Sequence, residues 1–140
     1  MAKMTKEFQE KFLNKTRYGI LTTLASDGTP KSVPVWFDWD GNAVRIFTGV
    51  KSAKVKRIRR DPRVTLLVAN HLDEGEAWVA FDGTAKIRPD SAVELLERLA
   101  AKYWDLSDSD RQSTVDSWKS EPNSLCVIEL VPTQIRTQQD

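Results

Sequence analysis

Apolar residues recur along the chain with two different periods. Short stretches in which apolar and polar residues mix at the spacing of strands occur at 17–25, 31–38, 43–48, 63–70, 76–88 and 124–137. Side chains in a strand point alternately to opposite faces, so these six stretches predict six strands. Asp27-Gly28 separates the first two and Gly41-Asn42 the next pair, and both are residue types that supply the positive φ of hairpin turns. Pro34 lacks a backbone N–H, which places the stretch 31–38 at a sheet edge or bulge. Helical spacing governs 3–15, with Phe8, Phe12 and Leu13 on one side, and 90–104, with Val93, Leu96, Ala100 and Tyr103 on one stripe. A helix is also expected at 52–60, with Ser52 as N-cap and Asp61-Pro62 as its stop, and another at 108–118. Hairpins joined in series with helices at their ends predict an α+β fold around a small antiparallel barrel. No repeat, linker or change of composition divides the chain, so a single domain over 1–140 is expected.

Composition narrows the possible chemistry. The chain has 140 residues, 40% hydrophobic and 29% charged, with 6 Gly and 6 Pro, which excludes collagen-like and disordered classes. One Cys rules out an internal disulfide, and one His leaves too few ligands for a protein-built zinc or iron site. No apolar run is long enough for a membrane helix and the N-terminal segment lacks the apolar core of a leader, so a cytoplasmic protein is expected. No G-x-S-x-G elbow is present. His71 lies in a polar loop and reads as solvent-facing, while Cys126 lies in an apolar strand and reads as a small hydrophobe. Asp38 with Asp40, and Asp73 with Glu74 and Glu76, flank glycine turns, and turn chemistry accounts for them. An enzyme with so few acid–base groups takes its chemistry from a cofactor.

Charge is nearly balanced overall at +1, but it is unevenly placed. Residues 51–63 hold Lys51, Lys54, Lys56, Arg57, Arg59, Arg60 and Arg63 against Asp61 alone. The segment 47–62, FTGVKSAKVKRIRRDP, reads as strand, glycine turn and helix. Such a junction presents free N–H groups and the positive end of the helix at Ser52, a favourable place for a phosphate. At about 100° per residue, Val55 and Ile58 face inward, Lys54 sits at the border, and Lys56, Arg57 and Arg60 face away. A basic helix also suits nucleic acid or an acidic partner, but cations confined to one helix of a near-neutral chain argue against a nucleic-acid protein.

The series ILTTLASDGTPKSVPVWFDWDGNAVRIFTG, KSAKVKRIRRDPRVTLLV and WVAFDGTAKI, covering roughly Tyr18 to Ile87, resembles a known superfamily. It is similar to the split β-barrel flavin and deazaflavin oxidoreductases, the pyridoxamine-5′-phosphate-oxidase-like proteins, and most closely to their short class B members. The D-G-x-P, P-V-W-F, S-x-K and D-P-R-V elements carry the likeness by their order and spacing. The resemblance implies an α+β fold, a six-stranded antiparallel split β-barrel with flanking helices. It implies a homodimer with the cofactor in a groove between subunits. It places an isoalloxazine-type ring against Ser32, Val33, Pro34, Val35, Trp36 and Phe37, beside Phe47. It places the cofactor phosphate on Thr48, Ser52 and Lys54, and Trp78 where longer members put a polar ring contact. Trp104 and Trp118 are read as packing residues.

Pyridoxamine phosphate oxidases have an Arg at Ser32, a Lys at Phe37, a second cation at Ala53 and a further C-terminal substrate segment, so the resemblance does not extend to that substrate. Six cations between Lys51 and Arg60 exceed what the single phosphate of FMN requires and match the phosphodiester and glutamate tail of coenzyme F420, with Arg57 and Arg60 meeting that tail. The expected activity is hydride transfer between reduced F420 and an electron-poor small molecule. An FMN oxidoreductase of the same fold and a non-catalytic flavin or tetrapyrrole binder are the alternatives.

Overall fold

The computed structural model describes residues 2–140. Four α-helices and seven strands follow in the order α1 (Lys6–Asn14), β1 (Gly19–Leu24), β2 (Pro30–Val35), β3 (Asp38–Trp39), β4 (Val44–Gly49), α2 (Ala53–Arg60), β5 (Arg63–Ala69), β6 (Ala77–Arg88), α3 (Ala92–Tyr103), α4 (Ser109–Lys119) and β7 (Leu125–Gln139). The strands form one antiparallel sheet in the order β2-β1-β5-β6-β7-β4-β3. The fold is the expected α+β curled antiparallel sheet with flanking helices. It differs in one element. The stretch 31–38 does not run as one strand but breaks at Trp36-Phe37, giving β2 on one edge of the sheet and the two-residue β3 on the other.

That break explains the curl. β2 and β3 occupy opposite edges of a seven-stranded sheet yet are joined by only Trp36 and Phe37. Three residue steps span at most about 11 Å, so the two edges must come together there. The sheet rolls into a barrel with a seam at Trp36-Phe37. Pro34 sits in β2, an edge strand, where its missing N–H disrupts no central ladder.

Two cores hold the layers. The barrel interior is filled by residues such as Leu21, Phe37, Leu66, Phe81 and Ile128, closed at one end by Val55 and Ile58 of α2. The second core packs Leu95, Leu96 and Leu99 of α3 and Val115 of α4 against Leu125 and Val127. β7 serves both: Cys126, Ile128 and Leu130 point into the barrel, Leu125 and Val127 toward the helices. A strand covered on both faces reads as a continuous apolar run, which is why LCVIEL shows no alternation.

Element ends follow their caps. The first helix starts later than expected, at Lys6, because the Thr5 side chain accepts from the Phe8 N–H, while Ala2 bridges to Gln139. The Ser52 hydroxyl caps α2 by accepting from the Val55 N–H, and the helix ends at Asp61 before Pro62, as expected. At α3 Ser91 is left-handed (φ 68°), and its side chain makes no cap bond.

Candidate functional site

The seam is built by one tyrosine. The Phe37 N–H donates to Tyr103 Oη at 3.3 Å, and the Tyr103 hydroxyl donates to the Arg17 carbonyl at 2.5 Å. One α3 side chain thus ties the β2–β3 break to the entry of β1. Burial pushes the Tyr103 phenol up, which keeps it a neutral donor. Phe37 drops into the barrel at 1% exposure, and Trp36 turns outward. The Trp36 ring stacks on Tyr103 (centroids 5.2 Å apart, planes at 14°) and meets Trp104 edge-on at 4.8 Å. Phe47 and Trp118 complete the aromatic cluster at 6.0 and 6.3 Å from Trp36.

A cleft of about 210 Å³ opens on this cluster. Its walls are Pro34, Val35 and Trp36 from the seam, Ile46 and Phe47 from β4, Trp118 from α4, Tyr18, and Lys54 from α2. Lys54 is its one charged side chain, and burial, with Arg57 nearby, depresses the ammonium below the usual lysine range. A larger cleft of about 910 Å³ shares Phe47 and Trp118 and runs along Thr48 to Ser52 and the Ser124 region. There the Thr48 hydroxyl donates to Ser52 Oγ at 3.3 Å, which in turn accepts from the Val55 N–H at 3.4 Å. The Ser52 hydroxyl hydrogen stays free to donate, at the positive end of α2.

The arginines of 51–60 stand apart from the other arginines. Outside that segment Arg17, Arg45, Arg63, Arg88, Arg98 and Arg136 all pair with carboxylates, and Arg111 lies over the Trp104 ring. Among the described residues, no ion pair involves Lys51, Lys54, Lys56, Arg57, Arg59 or Arg60. Arg57, expected to face away, is instead half-buried against β1, where its Nε donates to Thr23 Oγ1 at 2.7 Å. Arg60 is exposed at the end of the same helix. Uncompensated charge of this kind raises the local concentration of anions.

The residues singled out from the sequence divide among several places. Pro34, Val35, Trp36, Phe47 and Lys54 meet in the smaller cleft, and Thr48 and Ser52 in the larger one. The two clefts adjoin, sharing Phe47 and Trp118, so Lys54 opens beside the two hydroxyls with which it was grouped. Phe37 is a core residue, because it continues the inward side of the alternation that Val33 and Val35 begin. Val33 is half-buried against the barrel core. Ser32 and Trp78 line a third cleft of about 460 Å³ on the outer sheet face, where Ser32 shares a 2.8 Å hydrogen bond with Thr22 and the Arg136 guanidinium lies 5.9 Å from the Trp78 ring. Sequence reasoning missed Tyr18, Ile46 and Trp118. Trp118 alone carried a signal, as a large aromatic on a helix with almost no other apolar stripe.

Comparison with known proteins places this geometry. The family model described as pyridoxamine 5′-phosphate oxidase matches residues 4–139. A solved F420 reductase is 26% identical, with TM-score 0.74, covering 90% of this chain and 94% of its own. A conserved hypothetical protein from Mycobacterium tuberculosis is 27% identical, with TM-score 0.74 and coverage of 97% and 85%. A FAD-binding protein from Mesorhizobium loti is 25% identical, with TM-score 0.65 and coverage of 97% and 95%. The seam, the curled sheet and the matched span lead to one assignment: the chain belongs to the pyridoxamine 5′-phosphate oxidase family, within the split β-barrel superfamily of flavin and deazaflavin oxidoreductases.

Proposed function

We propose that this protein is an oxidoreductase that binds coenzyme F420 and transfers hydride between it and an electron-poor small molecule. The carrying observation is the set of six cations at 51–60 with no carboxylate partner, beside a cleft walled by aromatic rings. A single phosphate is matched by about two cations, whereas a phosphodiester with a carboxylate tail calls for more. The likeness to an F420 reductase supports the same choice. The residues fit such a group: an apolar slot for a flat ring, hydroxyls and a helix N-terminus for a phosphate, and guanidiniums without a carboxylate partner for a tail.

In this reading Trp36 and Phe47 form the walls for the ring, and the backbone from Val33 to Trp36 offers hydrogen bonds along its edge. Thr48, Ser52 and the first N–H groups of α2 hold the phosphate. Arg57 and Arg60 meet the anionic tail. When bound, the reduced ring supplies hydride to an electron-poor double bond such as an enone, a quinone or a tetrapyrrole bridge. The aromatic cluster keeps water from that reaction. A second copy of the chain closes the site from the outer sheet face, giving a homodimer. A flavin, FMN in the simplest case, is the second reading, favoured by the likeness to the FAD-binding protein.

Titration of the purified protein with F420 and with FMN, at two salt concentrations, tests the choice. F420 should bind more tightly, and Arg57→Ala or Arg60→Ala should weaken it several-fold at low salt and less at high salt. Equal affinities, with both variants indifferent, would favour FMN. Tight binding without turnover of the reduced cofactor across enones, quinones and tetrapyrroles would mean a binding protein and not an enzyme.

A further inference from the structure

Two side chains of the smaller cleft carry a transferable proton, Lys54 and Tyr18. Lys54 opens beside Thr48 and Ser52, with the groups that suit a phosphate. Tyr18 belongs to the aromatic cluster: its ring lies 6.1 Å from that of Tyr103, which stacks on Trp36 at 5.2 Å. Its backbone is held from both directions. Arg17 before it is paired to Glu74, and the Arg17 carbonyl accepts from the Tyr103 hydroxyl. Gly19 after it opens β1 between Val35 and Val68, so tightly packed that a Cβ there would meet Leu66 at 2.8 Å. On that fixed backbone the phenol is 62% exposed, and its hydroxyl has no hydrogen-bond partner among the described residues. The Tyr103 hydroxyl, by contrast, is taken by Phe37 and Arg17. A rigidly mounted hydroxyl left free beside an apolar slot is arranged to serve a molecule from outside the chain.

We propose that Tyr18 is the acid of the hydride transfer and donates to a carbonyl oxygen of the acceptor, so that the substrate class is a double bond conjugated to a carbonyl, as in an enone or a quinone. This rests on the reading of the protein as a flavin or deazaflavin oxidoreductase. In an enone, hydride adds to the carbon β to the carbonyl, and its electron pair forms the new C–H bond. The pair of the old C=C bond moves between the α-carbon and the carbonyl carbon, and the carbonyl pair moves onto oxygen. The Tyr18 proton passes to that oxygen and gives an enol. The phenolate left behind takes a proton back from the water it faces. Two electrons leave the reduced cofactor with the hydride and arrive on the acceptor. Because charge grows on the oxygen as hydride arrives, a donor placed there binds the transition state more strongly than the substrate.

The test compares acceptors that need this proton with one that does not. Cyclohexenone and menadione each take up a hydride and a proton, whereas the N-methylacridinium cation has no carbonyl and becomes neutral on taking hydride alone. Tyr18→Phe keeps the exposed ring and removes only the hydroxyl, so the fold and the affinity for F420 or FMN should stay within about twofold of wild type. Turnover of cyclohexenone and menadione with the reduced cofactor should fall about a hundredfold, and that of the cation by no more than about twofold. Binding is a second readout, taken on protein carrying the oxidised cofactor, which cannot reduce its ligand. There the variant should bind menadione about three- to tenfold more weakly, by tryptophan quenching, and N-methylacridinium as wild type does. Equal losses with all three acceptors, or unchanged turnover of the two carbonyl acceptors, would overturn the proposal. Unchanged menadione binding would overturn the hydrogen bond to the carbonyl. Wild-type protein that binds its cofactor but reduces neither carbonyl acceptor would overturn the substrate class. Wild-type protein that binds neither F420 nor FMN would overturn the functional reading itself, an outcome visible before any variant is made.

Discussion

Tyr103 decides where Trp36 points. Its hydroxyl accepts from Phe37 and donates to Arg17, while its ring forms the floor under the indole. Tyr103→Phe separates these roles, since the ring stays and both hydrogen bonds go. Leaving a part-buried N–H and carbonyl unpaired should cost about 1–3 kcal/mol in urea unfolding, with a red shift of tryptophan emission as Trp36 loosens. A variant as stable as wild type would mean the hydroxyl holds nothing in place. The same residue marks how far the sequence could be read. Tyr103 was legible as a member of the α3 stripe, and Pro34 as an edge residue, because both follow from local spacing. The alternation of Val33, Val35 and Phe37 already puts Phe37 on the inner face and Trp36 on the outer one. What no local pattern encodes is the end of the strand between them, where Phe37 is tied to a partner 66 positions away along the chain.

At the scale of elements, helices and hairpins with their own signals were legible to within a few residues. The Ser52 cap and the Asp61-Pro62 stop define α2, and Asp27-Gly28 turns β1 into β2. The two-residue β3 carried no signal of its own and exists only because β4 offers it a partner. Another long-range device was equally hidden. Arg17, 4% exposed, donates from both terminal nitrogens to Glu74 at 2.5 and 2.9 Å, and from Nε to the Phe12 carbonyl. It thereby clamps the β5–β6 loop to the junction of α1 and β1. Glu74 also accepts from Lys15 and from the His71 N–H. The Arg17 guanidinium, ahead of the His71 N–H, holds the Glu74 carboxyl far below its ordinary 4.5. A carboxylate depressed on folding contributes stability above its unfolded pKa and loses it as pH falls toward the folded value. Glu74→Gln should therefore lower Tm by a constant amount from pH 7 to about 5, and the gap should begin to close below about 4.5. A gap that stays level from pH 7 to pH 3 would show that the clamp does not act through the carboxylate charge.

The whole molecule presents one face that its own helices leave open. Outward positions of neighbouring strands line up across it: Pro34 opposite Ile20, Ile20 opposite Leu67, and Leu67 opposite Ala80. Ile20 and Leu67 remain 37% and 38% exposed, and Trp78 lies on the same side, with Thr22, Ser32, Thr65 and Arg136 around them. A stable interface needs about 800 Å² from each partner, roughly a tenth of the 8148 Å² accessible surface of this chain. An antiparallel sheet with apolar residues on its open face is expected to find a cover. A second copy brings a matching apolar ridge, and a two-fold axis uses the same face twice. Pro34 also joins this face to the ring-sized cleft, so assembly and cofactor binding should be coupled. Sedimentation of the wild-type protein at micromolar concentration should give a dimer. Leu67→Asp with Ile20→Asp puts two like charges on each copy at the centre of the ridge and should give a folded monomer. That monomer should bind F420 or FMN at least about tenfold more weakly, although neither substitution removes a charged group from the cleft. A wild-type monomer would end the argument. A monomeric variant with full cofactor affinity would leave the dimer but place the whole site within one copy.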